Sequence, residues 1–234
     1  MVRKFLLVLA FISFSLGAWA DETSLRKLIE VAYPKMSVES VTKTNHAGLY
    51  EVYMGGQIIY TDEKFSFLIA EGRMVDTKTK RDITSDRLAD LSKIDFSSLP
   101  LDQAIKVVKG NGNKKIAVFS DPDCPFCKRL EQNELSAIND VTIYTFLLPL
   151  DQLHPDAANK AKAIWCSADK SKAWSEWMNN AVAPTGKTDC TNPLERNIAL
   201  GKKIGVTGTP AIFFTDGSRI TGSVPLAQIE KKIK

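Results

Sequence analysis

The stretch Phe119-Ser120-Asp121-Pro122-Asp123-Cys124-Pro125-Phe126-Cys127-Lys128 constrains this chain more than any other. A short apolar strand run, Lys115 to Ser120, leads into it. Cys127, Leu130, Glu134, Leu135 and Ile138 then recur at helical spacing. Cys124 therefore stands where a strand hands over to a helix N-terminus. Unpaired backbone N–H groups and the helix dipole favour negative charge there. A thiolate is such a charge, and helix N-termini and C-x-x-C motifs lower thiol pKa values to roughly 3.5–7.5. Pro125 is tolerated because the first helical turn needs no donor. Cys127, one turn on, is placed to attack a mixed disulfide at Cys124, so Cys124 attacks and Cys127 resolves.

Other uses of these cysteines fit less well. A zinc site would want a second C-x-x-C or a His pair. Cys166 and Cys190 are too far apart in sequence, neither His46 nor His154 has ligand spacing, and no metal is expected. Covalent c-type haem needs His directly after the second cysteine, where Lys128 stands. A purely structural bridge across four residues at a helix end would be tight and partly exposed. Four cysteines in 234 residues also exclude a small disulfide-stapled scaffold.

The first twenty residues read as an address. Arg3 and Lys4 precede an apolar run from Phe5 to Leu16, and Ala18-Trp19-Ala20 has small residues where a signal peptidase reads. Residues 1–20 are expected to be a signal peptide cleaved after Ala20. The remaining protein would be exported to a compartment where disulfides persist. The two leader cations contribute half of the formal net charge of +4, so charge makes no case for nucleic acid as a partner.

The rest divides into a small N-terminal domain over 21–80, a linker helix over 81–100 and a larger domain over 101–234. Ser24 to Tyr33 has helical spacing, with Leu25, Leu28, Ile29 and Ala32 inward, Thr23 or Ser24 as N-cap and Pro34 as stop. Strand runs follow at Leu49–Met54, Gln57–Thr61 and Phe65–Ala70, the first two joined by Gly55-Gly56. So small a meander has little core of its own and is a candidate for pairing with a second chain. Ile83 to Leu99 is a charged amphipathic stretch ending before Pro100. In the larger domain, Val141–Leu148 reads as a buried strand, and Asp156–Cys166 and Ser171–Asn180 as two helices. Val206–Phe214 and Arg219–Thr221 flank the hairpin signal Asp216-Gly217. Pro225 opens a last helix.

The segment around Cys124 resembles the active site of thioredoxin-fold proteins, and Gly208-Thr209-Pro210-Ala211 resembles their cis-proline signature. Ala163-Ile164-Trp165-Cys166 with Cys190 looks like the second cysteine pair of the bacterial periplasmic disulfide isomerases of the DsbC family. The resemblance covers essentially the whole chain after the leader. One departure is the Pro-Phe between the cysteines, where the family commonly has Gly-Tyr and the related DsbG proteins often have Pro-Tyr. The resemblance implies an α+β protein. A C-terminal thioredoxin-like domain with a helical insertion at about 151–192 is joined by the linker helix to a cystatin-like dimerisation domain. It implies a periplasmic homodimer that isomerises or reduces wrong disulfides in misfolded exported proteins. It also implies chaperone activity, re-reduction by the inner-membrane reductase DsbD, and no cofactor beyond the dithiol. The alternative is a DsbG-like chaperone and reductant of sulfenylated single cysteines.

Thr209, before a cis Pro210, would present its backbone to an extended substrate strand beside Cys124; an ordinary trans proline would remove that role. Cys166 and Cys190 read as a structural disulfide, with Ile164 and Trp165 suggesting burial; the rivals are a second redox pair or free thiols. Trp174 and Trp177 read as core or helix-packing residues, His154 before Pro155 as a turn residue, and Lys128 and Arg129 as surface charge.

Overall fold

Period-two patterns in the N-terminal part close into one antiparallel sheet, and those after Leu101 into a second, mixed sheet. A computed structural model describes residues 17–233. The expected signal peptide falls mostly on residues 1–16, outside the described residues. Two compact units divide between Thr84 and Ser85. No helix among the described residues is long and apolar enough to cross a membrane.

In the first unit, helix α1 (Gly17–Ala32) precedes strands β1 (Val38–Lys43), β2 (Tyr50–Met54), β3 (Gln57–Thr61) and β4 (Leu68–Ile69), hydrogen-bonded in that order. α1 begins before Thr23 and Ser24, which therefore lie inside the helix rather than capping it. It buries one narrow face: Leu25 and Ile29 pack on Val38, Val41, Tyr50, Val52 and Met54. Leu28, expected inward, is 48% exposed. Gly55 and Gly56 both take positive φ (58° and 76°), as a tight two-residue hairpin turn requires. The β1 strand escaped the sequence reading because a bulge between Val38 and Ser40 breaks its alternation. β4 is shorter than the expected Phe65–Ala70 run. Asp62 holds the Ser66 N–H at 2.7 Å and Phe65 adopts φ 54°, so the chain turns before it can pair.

Helix α2 (Ile83–Leu91) stops short of the expected Leu99. Beyond it Asp95 caps a 3-10 turn over Phe96–Ser98, accepting the Ser97 N–H, and Phe96 and Leu99 are buried. The second sheet has the order β5 (Ile105–Lys109), β7 (Val141–Leu147), β6 (Lys114–Ser120), β8 (Ala211–Phe214), β9 (Arg219–Thr221). β6 runs parallel to β7 and antiparallel to β8. It is central, so both its faces are covered, and its buried part is continuously apolar from Ile116 to Phe119. Ile116 and Val118 face a core with Leu130, Leu135, Ile229 and Ile233. Ala117 and Phe119 face another with Phe146 and Phe213.

Helix α3 (Pro125–Arg129) leads from β6 into a π-helical segment, Leu130–Leu135. Helices α4 (Ala157–Trp165), α5 (Lys170–Asn180) and α6 (Leu194–Lys203) follow β7, and α7 (Leu226–Lys232) closes the chain. α6 was not read from sequence because its buried face includes Asn197 and Gly201, which thin the apolar stripe. A third core cluster joins Cys124 and Cys127 to Ala161 and Ile164 of α4, Trp174 and Met178 of α5, and Leu194 of α6. The added helices thus cover one side of the dithiol.

Candidate active site

Cys124 is the N-cap of α3, with Pro125 in the first turn. Its sulfur lies 3.5 Å from the carbonyl oxygen of Thr209. The Thr209–Pro210 bond is cis, and the Thr209 hydroxyl is buried without a hydrogen-bond partner. Cys124 and Cys127 are free thiols, 4% and 0% exposed. The fold therefore brings together four of the sequence-selected residues, two of them more than 80 positions from the others.

The two sulfurs are electrostatically unequal. The Cys127 thiol donates to the Cys124 sulfur, and with the backbone N–H groups of α3 this lowers the Cys124 pKa to about 5, against the penalty of burial. Burial above all pushes Cys127 upward, and its bond to Cys124 adds to that. A thiolate at the outer cysteine beside a protonated inner one is the division of labour that nucleophile and resolving thiol need.

Behind the cysteines lies a polar set that the sequence reading missed. Asp121 is fully buried. Its carboxylate accepts the N–H groups of Asp123 and Leu150, each at 2.7 Å, and meets His154 Nδ1 at 2.9 Å. Lys160 donates to both oxygens of Asp123 at 2.9 and 2.7 Å. Trp177 packs against the third core cluster as expected, and its indole N–H also donates to the Pro122 carbonyl at 2.6 Å. The Lys128 and Lys160 ammonium groups sit 4.1 and 4.9 Å from its ring centre. His154, read as a turn residue, does have its N–H on the Leu150 carbonyl, but its ring faces the site. Trp174 is buried, and its N–H donates to Glu131 at 2.9 Å. Burial pushes that carboxyl up to about 7. The side-chain hydrogen bonds of His154, Lys160, Trp174 and Trp177 each span more than 30 residues, so no local pattern marks them.

Cys166 and Cys190 form a disulfide with 5.8 Å between their Cα atoms. Contrary to the expected burial, Cys166 is only half-buried and Cys190 is exposed. The bridge ties the end of α4 to the irregular segment before α6, at the surface. Among the described residues no group of three or more His, Cys, Asp or Glu is placed to share a metal ion.

Residues 101–234 match the thioredoxin-like domain family, and residues 17–85 match the disulfide bond isomerase protein N-terminal domain. A probable thiol:disulfide interchange protein DsbC of Bordetella parapertussis is 42% identical over 196 residues, covering 84% of this chain and 68% of that one. The chain belongs to the DsbC family of thiol:disulfide interchange proteins. The Escherichia coli K12 DsbC protein is 27% identical over 237 residues, covering 99% of this chain and 95% of its own. A crystal structure of a disulfide interchange protein from Neisseria gonorrhoeae is 49% identical, with a TM-score of 0.54 over 57% of this chain and 94% of that one. As a DsbC-family member the chain is a disulfide isomerase, a thiol:disulfide exchange enzyme with a C-terminal thioredoxin-like domain.

Proposed function

We propose that this DsbC-family enzyme rearranges wrong disulfides in exported proteins, with Cys124 as nucleophile and Cys127 as resolving thiol. The observation that carries these roles is the placement of Cys124, a free thiol capping α3 against the Thr209 carbonyl. The Cys124 thiolate attacks one sulfur of a substrate disulfide. A Cys124–substrate S–S bond forms and the other substrate sulfur leaves as thiolate. If a substrate thiolate then attacks the correct partner sulfur and Cys124 is released, no electrons are gained or lost overall. If Cys127 attacks Cys124 instead, the substrate leaves reduced and the enzyme is left oxidised. Re-reduction then falls to an external dithiol donor, for which the inner-membrane reductase DsbD is the candidate. Thr209 and Pro210 would present backbone to an extended substrate segment beside Cys124. No cofactor beyond the dithiol enters this scheme.

The roles are tested by alkylating the reduced chain with iodoacetamide across pH. Cys124 is expected to react with a midpoint of about pH 5, following its lowered pKa. A midpoint near the ordinary thiol value of about 8.5 would reject the nucleophile assignment. The same shift carries a sign for stability. The folded-state pKa lies below the unfolded one, so the thiolate stabilises the reduced fold fully above about pH 8.5. That contribution fades as pH falls toward about 5.

Periplasmic residence is supported by the family and by the leader-like first twenty residues. Homodimerisation through residues 21–80 is supported by the match to the isomerase N-terminal domain. It is also supported by the edge strand β4, where Leu68 and Ile69, with Phe67 just before them, are all exposed. A chain lacking residues 21–80 is expected to be monomeric by light scattering where the full chain is dimeric. Retained dimerisation would refute that assignment.

A further inference from the structure

We infer that His154 is a positioning residue of the dithiol site: it sets a positive charge against the buried Asp121 carboxylate, so that no uncompensated negative charge stands beneath Cys124 and Cys127. The inference rests on the dithiol roles proposed above and deepens them.

Asp121 is tied to the Cys127 sulfur and to the backbone that carries Cys124. Its carboxylate holds the N–H of Asp123, the residue before Cys124, and its own N–H points at the Cys127 sulfur, 3.5 Å away. It is fully buried, where charges are weakly screened. A lone carboxylate in this position opposes any neighbouring thiolate, because like charges raise each other's cost of ionisation. The side chain that contacts it and can carry a positive charge is His154, at 2.9 Å.

The geometry keeps His154 aimed. Its N–H bonds the Leu150 carbonyl at 2.9 Å, its carbonyl accepts the Ala157 N–H at 3.0 Å, and Leu150 is itself held by the same Asp121 carboxylate. The side chain is 22% exposed, so its proton exchanges with solvent. The other charges around it are accounted for. Asp123 is paired with Lys160, which also reaches Asp156 at 3.2 Å, and Lys128 lies over Trp177. The His154 pKa is raised, first by the Asp121 hydrogen bond, against burial, with the charges of Asp121, Cys124 and Asp123 adding to it. Coupling between two sites is reciprocal. A Cys124 thiolate that favours the imidazolium is favoured by it to the same extent.

The test uses the full reduced chain and the pH profile of Cys124 alkylation for the wild type, His154→Gln, Asp121→Asn and the double variant. His154→Gln keeps a polar side chain but removes the charge. Its midpoint is expected to rise by roughly 0.5–1 pH unit, slowing reaction below the midpoint roughly 3- to 10-fold. The double variant removes both charges together and is expected to return toward the wild-type midpoint. A purely architectural role would give no such return. A His154→Gln profile that overlays the wild type, or a double variant that stays with His154→Gln, overturns the inference. Should Asp121→Asn not fold, the His154 ring titrated by NMR in the wild type and in Cys124→Ser decides the matter. The pKa is expected to fall in Cys124→Ser, and an unchanged value overturns the inference. A wild-type Cys124 midpoint in the ordinary thiol range would instead bring down the dithiol roles themselves. A low wild-type midpoint that His154→Gln leaves in place removes only the part played by His154.

Discussion

Cys124→Ala is expected to reduce reactivation of scrambled ribonuclease to the uncatalysed background while any suppression of aggregation persists. The exchange step needs a sulfur that forms a covalent bond to substrate, and no other thiol is placed to substitute. Cys127 is fully buried and held protonated by that burial. Cys166 and Cys190 are bonded to each other. The loss should not reflect unfolding. Cys124 makes no side-chain capping hydrogen bond at α3, so alanine there removes no cap. The companion Cys127→Ser variant should still attack but should accumulate mixed disulfides, because resolution has been removed. Undiminished reactivation by Cys124→Ala would refute the nucleophile assignment, and loss of both activities together would refute a thiol-independent chaperone function.

Replacing Cys166 and Cys190 by alanine is expected to lower stability by about 3–3.5 kcal/mol on the chain-entropy model for a loop of this length. For a domain of this size that corresponds to a fall in Tm of roughly 6–14 °C. The native fold explains where the cost falls. Residues 181–193 carry no helix or strand, and the bridge pins them between α5 and α6. The Cys124 alkylation midpoint should not move in this variant, because the bridge touches neither Asp121 nor Thr209. A Tm within a degree or two of the wild type would argue against a stabilising bridge. Reduction of the bridge at the same potential as the Cys124–Cys127 pair would favour a second redox centre.

How much was legible beforehand depended on the range of the interactions. The strand running into Asp121, the capping cysteine, the proline in the first turn and the resolving thiol three residues on are all set by neighbours within about one helical turn. Their chemistry followed from spacing. The β2–β3 hairpin was equally local, because Gly55-Gly56 supplies the two positive-φ positions. Local reading failed where the pattern is broken or diluted. A bulge interrupts β1, an Asx turn shortens β4, and Asn197 and Gly201 interrupt the apolar face of α6.

The sequence by itself determined that this is a dithiol protein with a helix-capping cysteine, joined to a small strand-rich domain. Those properties are encoded in short stretches whose backbone preferences and periodicity do not depend on the rest of the chain. Only the tertiary structure decided what surrounds the sulfurs. Thr209 reaches Cys124 through the pairing of β8 with β6. His154, Lys160 and Trp177 reach Asp121, Asp123 and Pro122 from the helical segment after β7. Those contacts exist because burial of apolar faces on both sides of β6 draws distant segments together. Side chains that read locally as a turn residue and a core or helix-packing tryptophan thereby become, with Lys160, the polar frame of the site.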